Sequence, residues 1–143
     1  GQISDFPACL EDVMPTVLDL VDVDIPASVE GVSLAGLLKG GPAPARPHLR
    51  LQCAPLHQTL TDGKEKYIWF AADGREQFFR LTEDPGELHD LAGKPEEAER
   101  LAFWRGELIR ELADSPDGFS DGEKLIPGRP YPGKVPSRKQ GSR

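Results

Sequence analysis

Two Asp-Gly pairs set the strongest limit on how this chain can fold. Asp62-Gly63 and Asp73-Gly74 punctuate segments rich in aromatic and β-branched side chains. Residues 66–71 read Lys-Tyr-Ile-Trp-Phe-Ala, and residues 76–82 read Glu-Gln-Phe-Phe-Arg-Leu-Thr. Such side chains fit a pleated, half-buried surface. Asp-Gly suits a type I′ turn, where both central residues take φ > 0. Asp73-Gly74 therefore predicts an antiparallel hairpin. Asp62-Gly63 predicts a second, reaching back to a strand over 56–61, and residues 48–53 extend the series. A meander of three or four strands needs something packed on one face to be stable.

The segment at about 95–113 can supply that cover. Pro95 suits a first helical turn, and Glu96, Glu97 and Glu99 favour the positive end of the helix dipole. Leu101, Trp104, Leu108 and Leu112 recur at i, i+3, i+7 and i+11 with Ile109 beside them, which is one helical face. Gly106 interrupts this helix and suggests a close approach to the sheet. Asp114-Ser115-Pro116 stops it. Nearer the N-terminus, Leu10, Val13, Met14, Val17, Leu18 and Val21 form an apolar stripe at helical spacing. Pro15 fits the first turn if Asp12 caps the helix. A second short helix is predicted over 33–39, with Ser33 as cap, Leu34, Leu37 and Leu38 buried, and Gly40-Gly41 as the stop. The fold class is α+β. A small antiparallel sheet of three to four strands carries a packed C-terminal helix. One or two short helices precede it and an extended tail follows. Three regions result: residues 1–47, residues 48–114 holding sheet and helix, and residues 115–143, rich in Pro and Gly.

The chain has 143 residues and a net charge of −7, while its last twenty residues hold six basic side chains and no acidic one. The acidic balance argues against a general nucleic-acid binder, which shows a basic patch or stripe. A basic run of the tail's kind is usually a solvated or protein-docked arm. No apolar run is long enough for a membrane span. No basic stretch followed by an apolar one opens the chain, so no signal peptide is read and the compartment stays open.

The residues that could carry chemistry are few. Cys9 and Cys53 lack the spacing of a zinc site or a disulfide framework and read as unpaired thiols. His48, His57 and His89 show no metal-ligand spacing. His48 and His57 could meet across the sheet, or could be ordinary surface histidines. Glu83-Asp84-Pro85-Gly86-Glu87 reads as a tight turn rather than a calcium loop, which needs oxygen ligands spread over a dozen residues. The sequence contains no nucleophile elbow and no phosphate-binding glycine loop. Read from residues alone, the chain has no catalytic constellation and no metal site.

Several segments together resemble the type I sulfatases of the alkaline phosphatase superfamily. Asp12-Val13-Met14-Pro15-Thr16-Val17-Leu18-Asp19-Leu20, Ile25-Pro26 and Glu30-Gly31-Val32-Ser33-Leu34 are similar to the passage after their catalytic core. Leu60 to Phe70, Gly74 to Phe79 and Asp84 to Ala92 are similar to their C-terminal sheet. Trp104-Arg105 and Ser120 to Ile126 resemble the end of one bacterial, arylsulfatase-like branch. The resemblance implies a parent that hydrolyses a sulfate ester with a calcium ion and a formylglycine made in a Cys-x-Pro/Ala-x-Arg motif. Neither Cys9 nor Cys53 stands in such a motif. The resemblance therefore implies the C-terminal region of such an enzyme. That region would have no cofactor of its own, would brace a missing N-terminal catalytic domain, and would be inactive alone. The branch shows Gly-Glu-His near the active-site mouth, whereas this chain has His48-Leu49-Arg50-Leu51-Gln52-Cys53. His48, His57 and Gln58 are the expected contacts at a substrate rim. Two other readings stand beside this one. The chain could be a free-standing binding or assembly module, possible as a homo-oligomer, or the tail of a phosphate or phosphonate ester hydrolase of the same superfamily.

Overall fold

The computed structural model describes residues 3–53 and 57–129. The notional strand start at Leu56 and the last part of the tail lie outside these residues. Strands β1 (Leu49–Cys53), β2 (His57–Thr61), β3 (Glu65–Phe70) and β4 (Glu76–Arg80) form one antiparallel sheet in the order β1-β2-β3-β4. Helices α1 (Val13–Leu20) and α2 (Ala35–Leu38) precede it, and α3 (Ala98–Glu111) follows. This is the α+β meander that the sequence predicts.

Register explains which side of the sheet is covered. Leu60 stands opposite Tyr67 and Tyr67 opposite Phe78, while Trp69 lies two residues along β3 on the same face. These side chains are buried together with Leu101, Trp104, Leu108 and Leu112 of α3. Burial of each large apolar side chain contributes roughly 1.5–3 kcal/mol, so this layer dominates the stability of the sheet–helix unit. Ion pairs ring the seam. Glu65 accepts hydrogen bonds from Arg100 Nε at 2.5 Å and from the indole of Trp104 at 2.8 Å. Glu76 accepts two from Arg105, both at 2.7 Å, and one from the hydroxyl of Tyr67 at 2.6 Å. Burial, and then the Glu76 carboxylate, push the Tyr67 phenol far above its ordinary range. Burial alone would raise Glu76, but the bonds from Arg105 and Tyr67 outweigh it and hold the carboxyl below its usual value.

The two outer strands differ. The outer edge of β4 is closed, because Phe78 N–H donates to Asp90 Oδ1 at 3.1 Å and Leu91 N–H donates to the Phe78 carbonyl at 2.8 Å. On β1, Leu51, Gln52 and Cys53 are exposed.

The hairpins form, but not through type I′ turns. Only the glycine of each pair is left-handed, with φ +84° at Gly63 and +76° at Gly74. The aspartates act through their side chains. Asp62 Oδ1 accepts the N–H groups of Lys64 and Glu65, and Asp73 Oδ1 accepts that of Arg75. An Asp that folds its carboxylate onto the following backbone makes a side-chain turn and has no need of φ > 0.

Gly106 is not a point of close packing. A methyl group there would meet nothing nearer than the Arg110 guanidinium at 3.9 Å. The near half of the tail belongs to the core. Phe119 is buried edge-on against Trp69 with ring centres 5.7 Å apart. Ser120 donates to the Ile109 carbonyl at 3.0 Å, and Gly128 N–H donates to the Ala71 carbonyl at 2.8 Å.

The N-terminal helices depart most from expectation. Asp12 does not cap α1 with its side chain. It closes a short 3-10 turn, Leu10–Asp12, by accepting the Cys9 N–H at 2.9 Å. In α2 the buried residue is Ala35, while Leu34 and Leu37 are half-buried and Leu38 is exposed. Gly40, at φ +81°, ends that helix as predicted.

Candidate functional site

Alternation along β1 puts His48, Arg50 and Gln52 on one face, the face that α3 covers. At the open end of that face they line a polar cleft of about 470 Å³ together with Arg46, Glu30 and Glu111. His48 Nε2 lies 3.0 Å from Glu111 Oε1, and its ring meets Trp104 edge-on at 6.0 Å. The imidazole therefore ties the start of β1 to the end of α3. Gln52 reaches Asp117 at 3.4 Å.

The floor of the cleft is fixed by Asp12. Its carboxylate accepts two hydrogen bonds from Arg46, at 2.7 and 2.5 Å, and the N–H groups of Cys9 and Val32, each at 2.9 Å. Arg46 also donates to the Pro7 carbonyl at 3.2 Å. One buried carboxylate thus joins residues 7–12, residue 32 and the segment entering β1. The Arg46 bonds hold the Asp12 carboxyl far below the usual carboxylate range, overriding burial, which pulls the other way.

The three expected rim residues do not share one surface. His48 lines the cleft. His57 pairs with Cys53 and Phe70 on the opposite face, and its ring meets Phe70 edge-on at 5.6 Å. Gln58 is buried beside Trp69 in the core, and its Oε1 has no partner among the described residues. Arg50 and Gln52 were legible as cleft residues from the period of two that starts at His48. Arg46 gave no such signal, because its partner Asp12 lies 34 residues away.

Cys9 also lines the cleft, and its contacts show what its thiol faces. The Cys9 thiol donates to Asp12 at 3.5 Å, and that carboxylate is already occupied by Arg46. Among the described residues no three His, Cys, Asp or Glu side chains converge as metal ligands. The donor set here does not fit a calcium ion, and neither thiol stands in a motif from which formylglycine is made. No helix is long and apolar enough to cross a membrane.

No family model matches the chain. Curated relatives do. An arylsulfatase of Clostridium perfringens is 36% identical over 133 residues, covering 91% of this chain and 28% of that enzyme. A Delta 4,5-hexuronate-2-O-sulfatase of Bacteroides thetaiotaomicron is 27% identical over 116 residues, covering 76% of this chain and 24% of that protein. Among solved structures, a 2-O GAG sulfatase superposes with a TM-score of 0.67 at 25% identity over 81% of this chain and 27% of its own. A phosphonate monoester hydrolase from Silicibacter pomeroyi superposes with a TM-score of 0.61 at 27% identity, over 75% of this chain and 25% of its own. Fold and sequence together match the C-terminal region of sulfatases of the alkaline phosphatase superfamily. More narrowly, the chain is a sulfatase homologue that corresponds to the C-terminal region of those enzymes. It spans about a quarter of the length of the relatives it matches.

Proposed function

We propose that this chain completes a sulfate-ester hydrolase as its C-terminal subdomain, bracing a catalytic portion that it does not itself contain. The observation that carries this is one of coverage. The arylsulfatase relative accounts for 91% of this chain, yet this chain accounts for only 28% of that enzyme. Calcium and formylglycine belong to the catalytic portion in this reading, and no step of the chemistry runs through the residues described here. Residues 1–47 form the end of the sulfatase-like core, helices and linker, residues 48–114 the brace, and residues 115–143 the tail. His48 sits at the substrate rim, with Arg50 and Gln52 beside it on β1. Gln58 supports that strand pair from the core, and His57 would reach a ligand only on the other face of the sheet.

The phosphonate hydrolase neighbour favours one second reading, in which the parent cleaves a phosphonate or phosphate ester. The test uses the intact product of the gene that encodes this chain. It is assayed with 4-nitrophenyl sulfate and with a phenyl phosphonate ester, beside the 143-residue chain. Turnover of the sulfate by the intact product alone is expected. Preference for the phosphonate selects the second reading. Turnover by the 143-residue chain on its own, or a gene with no Cys-x-Pro/Ala-x-Arg or Ser equivalent ahead of this segment, overturns the proposal.

A further inference from the structure

Helix α1 is amphipathic the wrong way round for a free-standing domain. The side of it that is tied down is largely polar, with Asp12 and Thr16 buried beside Pro15 and Asp19 bonded at the exposed margin. Asp12, Thr16 and Asp19 recur at i, i+4 and i+7, and all three are tied to the segment leading into α2. Val32 N–H donates to Asp12, Leu34 N–H donates to Thr16 Oγ1 at 2.9 Å, and the Ser33 hydroxyl donates to Asp19. Thr16 also donates to the Asp12 carbonyl at 2.6 Å. These bonds fix the rotation of the helix about its axis. The apolar stripe is therefore held outward, with Leu10, Val13, Met14, Val17, Leu20 and Val21 each between 44% and 89% exposed. An amphipathic helix ordinarily turns this stripe toward a core. A contiguous apolar patch rimmed by polar groups marks an interaction surface.

The rest of the described structure offers no rival of this kind. The sheet's inner face is closed by α3 and by Phe119. The exposed aromatic of α3, Phe103, carries the Arg100 guanidinium 4.5 Å above its ring. We infer that the outward stripe of α1 is the surface on which the remainder of the hydrolase docks. The occupant is chosen by length, since roughly three-quarters of each relative lies outside the part this chain matches. This inference rests on the function proposed above. It adds which surface makes the joint and why the sheet–helix unit does not.

Hydrogen exchange tests it on two preparations, the intact gene product and the 143-residue chain. The amides of residues 17–21 should exchange at least about tenfold more slowly in the intact product, since docking removes local opening. Val17→Asp should abolish that protection there, while Phe103→Asp, equally exposed on α3, should leave it unchanged. Equal exchange of α1 in the two preparations overturns the inference, as does tolerance of Val17→Asp. So does a Val17-dependent dimer that persists in the intact product, which would make a second copy the occupant. An intact product that hydrolyses its ester with α1 unprotected sinks this inference alone. An inactive product with no hydrolase segment sinks the function on which it rests.

Discussion

Arg46→Met is the substitution that most directly tests how the N-terminal segment is held. The methionine keeps most of the side-chain volume but removes both hydrogen bonds to the Asp12 carboxylate. Asp12 is 1% exposed, so its charge is left buried with two backbone donors. Breaking a buried pair from one side costs about 3–5 kcal/mol. About 3 kcal/mol is expected here, because the segment can release Asp12 to water by detaching. Detachment is a local event. The apolar cluster of the sheet and α3 contains no residue before Leu60. The loss should therefore appear as a roughly 100-fold rise in opening of residues 9–35, read at the amides of Val32 and Leu34, with the main thermal transition nearly unmoved. Acid should mimic the mutation. The Asp12 carboxyl is held low in the fold but titrates near about 3.9 when unfolded. Its contribution is complete above that pH and declines as the pH falls toward the folded-state value. Arg46→Met should flatten this decline. Unchanged exchange at Val32 and Leu34, or a fall in the main transition as large as that of a core truncation, would refute the reasoning.

The core truncation for comparison is Trp104→Ala, which empties the centre of the α3 seam and removes a donor from Glu65. It should cost about 3–5 kcal/mol, measured by urea unfolding. Phe119→Ala should cost about 3 kcal/mol and release residues 119–128 to proteolysis, since their bonds to Ile109 and Ala71 rely on that anchor. Gly106→Ala should raise stability by about 1 kcal/mol, the helix-propensity difference, because the added methyl group makes only an ordinary contact with the Arg110 guanidinium at 3.9 Å.

How much of this was legible in the sequence follows from the range of the interactions involved. Strand and helix positions depend on local period, and the β1–β4 meander with α3 across it could be read from aromatic runs, glycines and the Leu101–Leu112 spacing. The turn type was misread because Asp-Gly is compatible with two solutions. The Asp62 and Asp73 carboxylates chose the one that local composition does not distinguish. Phe119 was missed as a core residue because a single aromatic among Pro and Gly carries no period. The cleft was half legible. The alternation from His48 to Gln52 is local, whereas the Asp12–Arg46 contact and the His48–Glu111 contact, 63 residues apart, depend on tertiary approach.

The α1 stripe shows why a correct period does not by itself state what covers a helix. Hydrophobic spacing states that one face of a helix must leave water. It does not state whether the surface that covers it lies in the same stretch of chain. In α3 the cover is the sheet formed just before it, so period and burial agree. In α1 the polar stripe is satisfied within the described residues by Val32, Ser33 and Leu34, and the apolar stripe is left over. Residues 3–47 bury only Asp12, Pro15, Thr16 and Ala35, a set too small and too polar to be a core. The hydrogen bonds and the ion pair of this segment close on itself, through Asp12 and Arg46 just ahead of β1, and its hydrophobic free energy remains available for docking. The core of the chain thus lies in the sheet and α3, and the apolar face of α1 is left over for the docking inferred above.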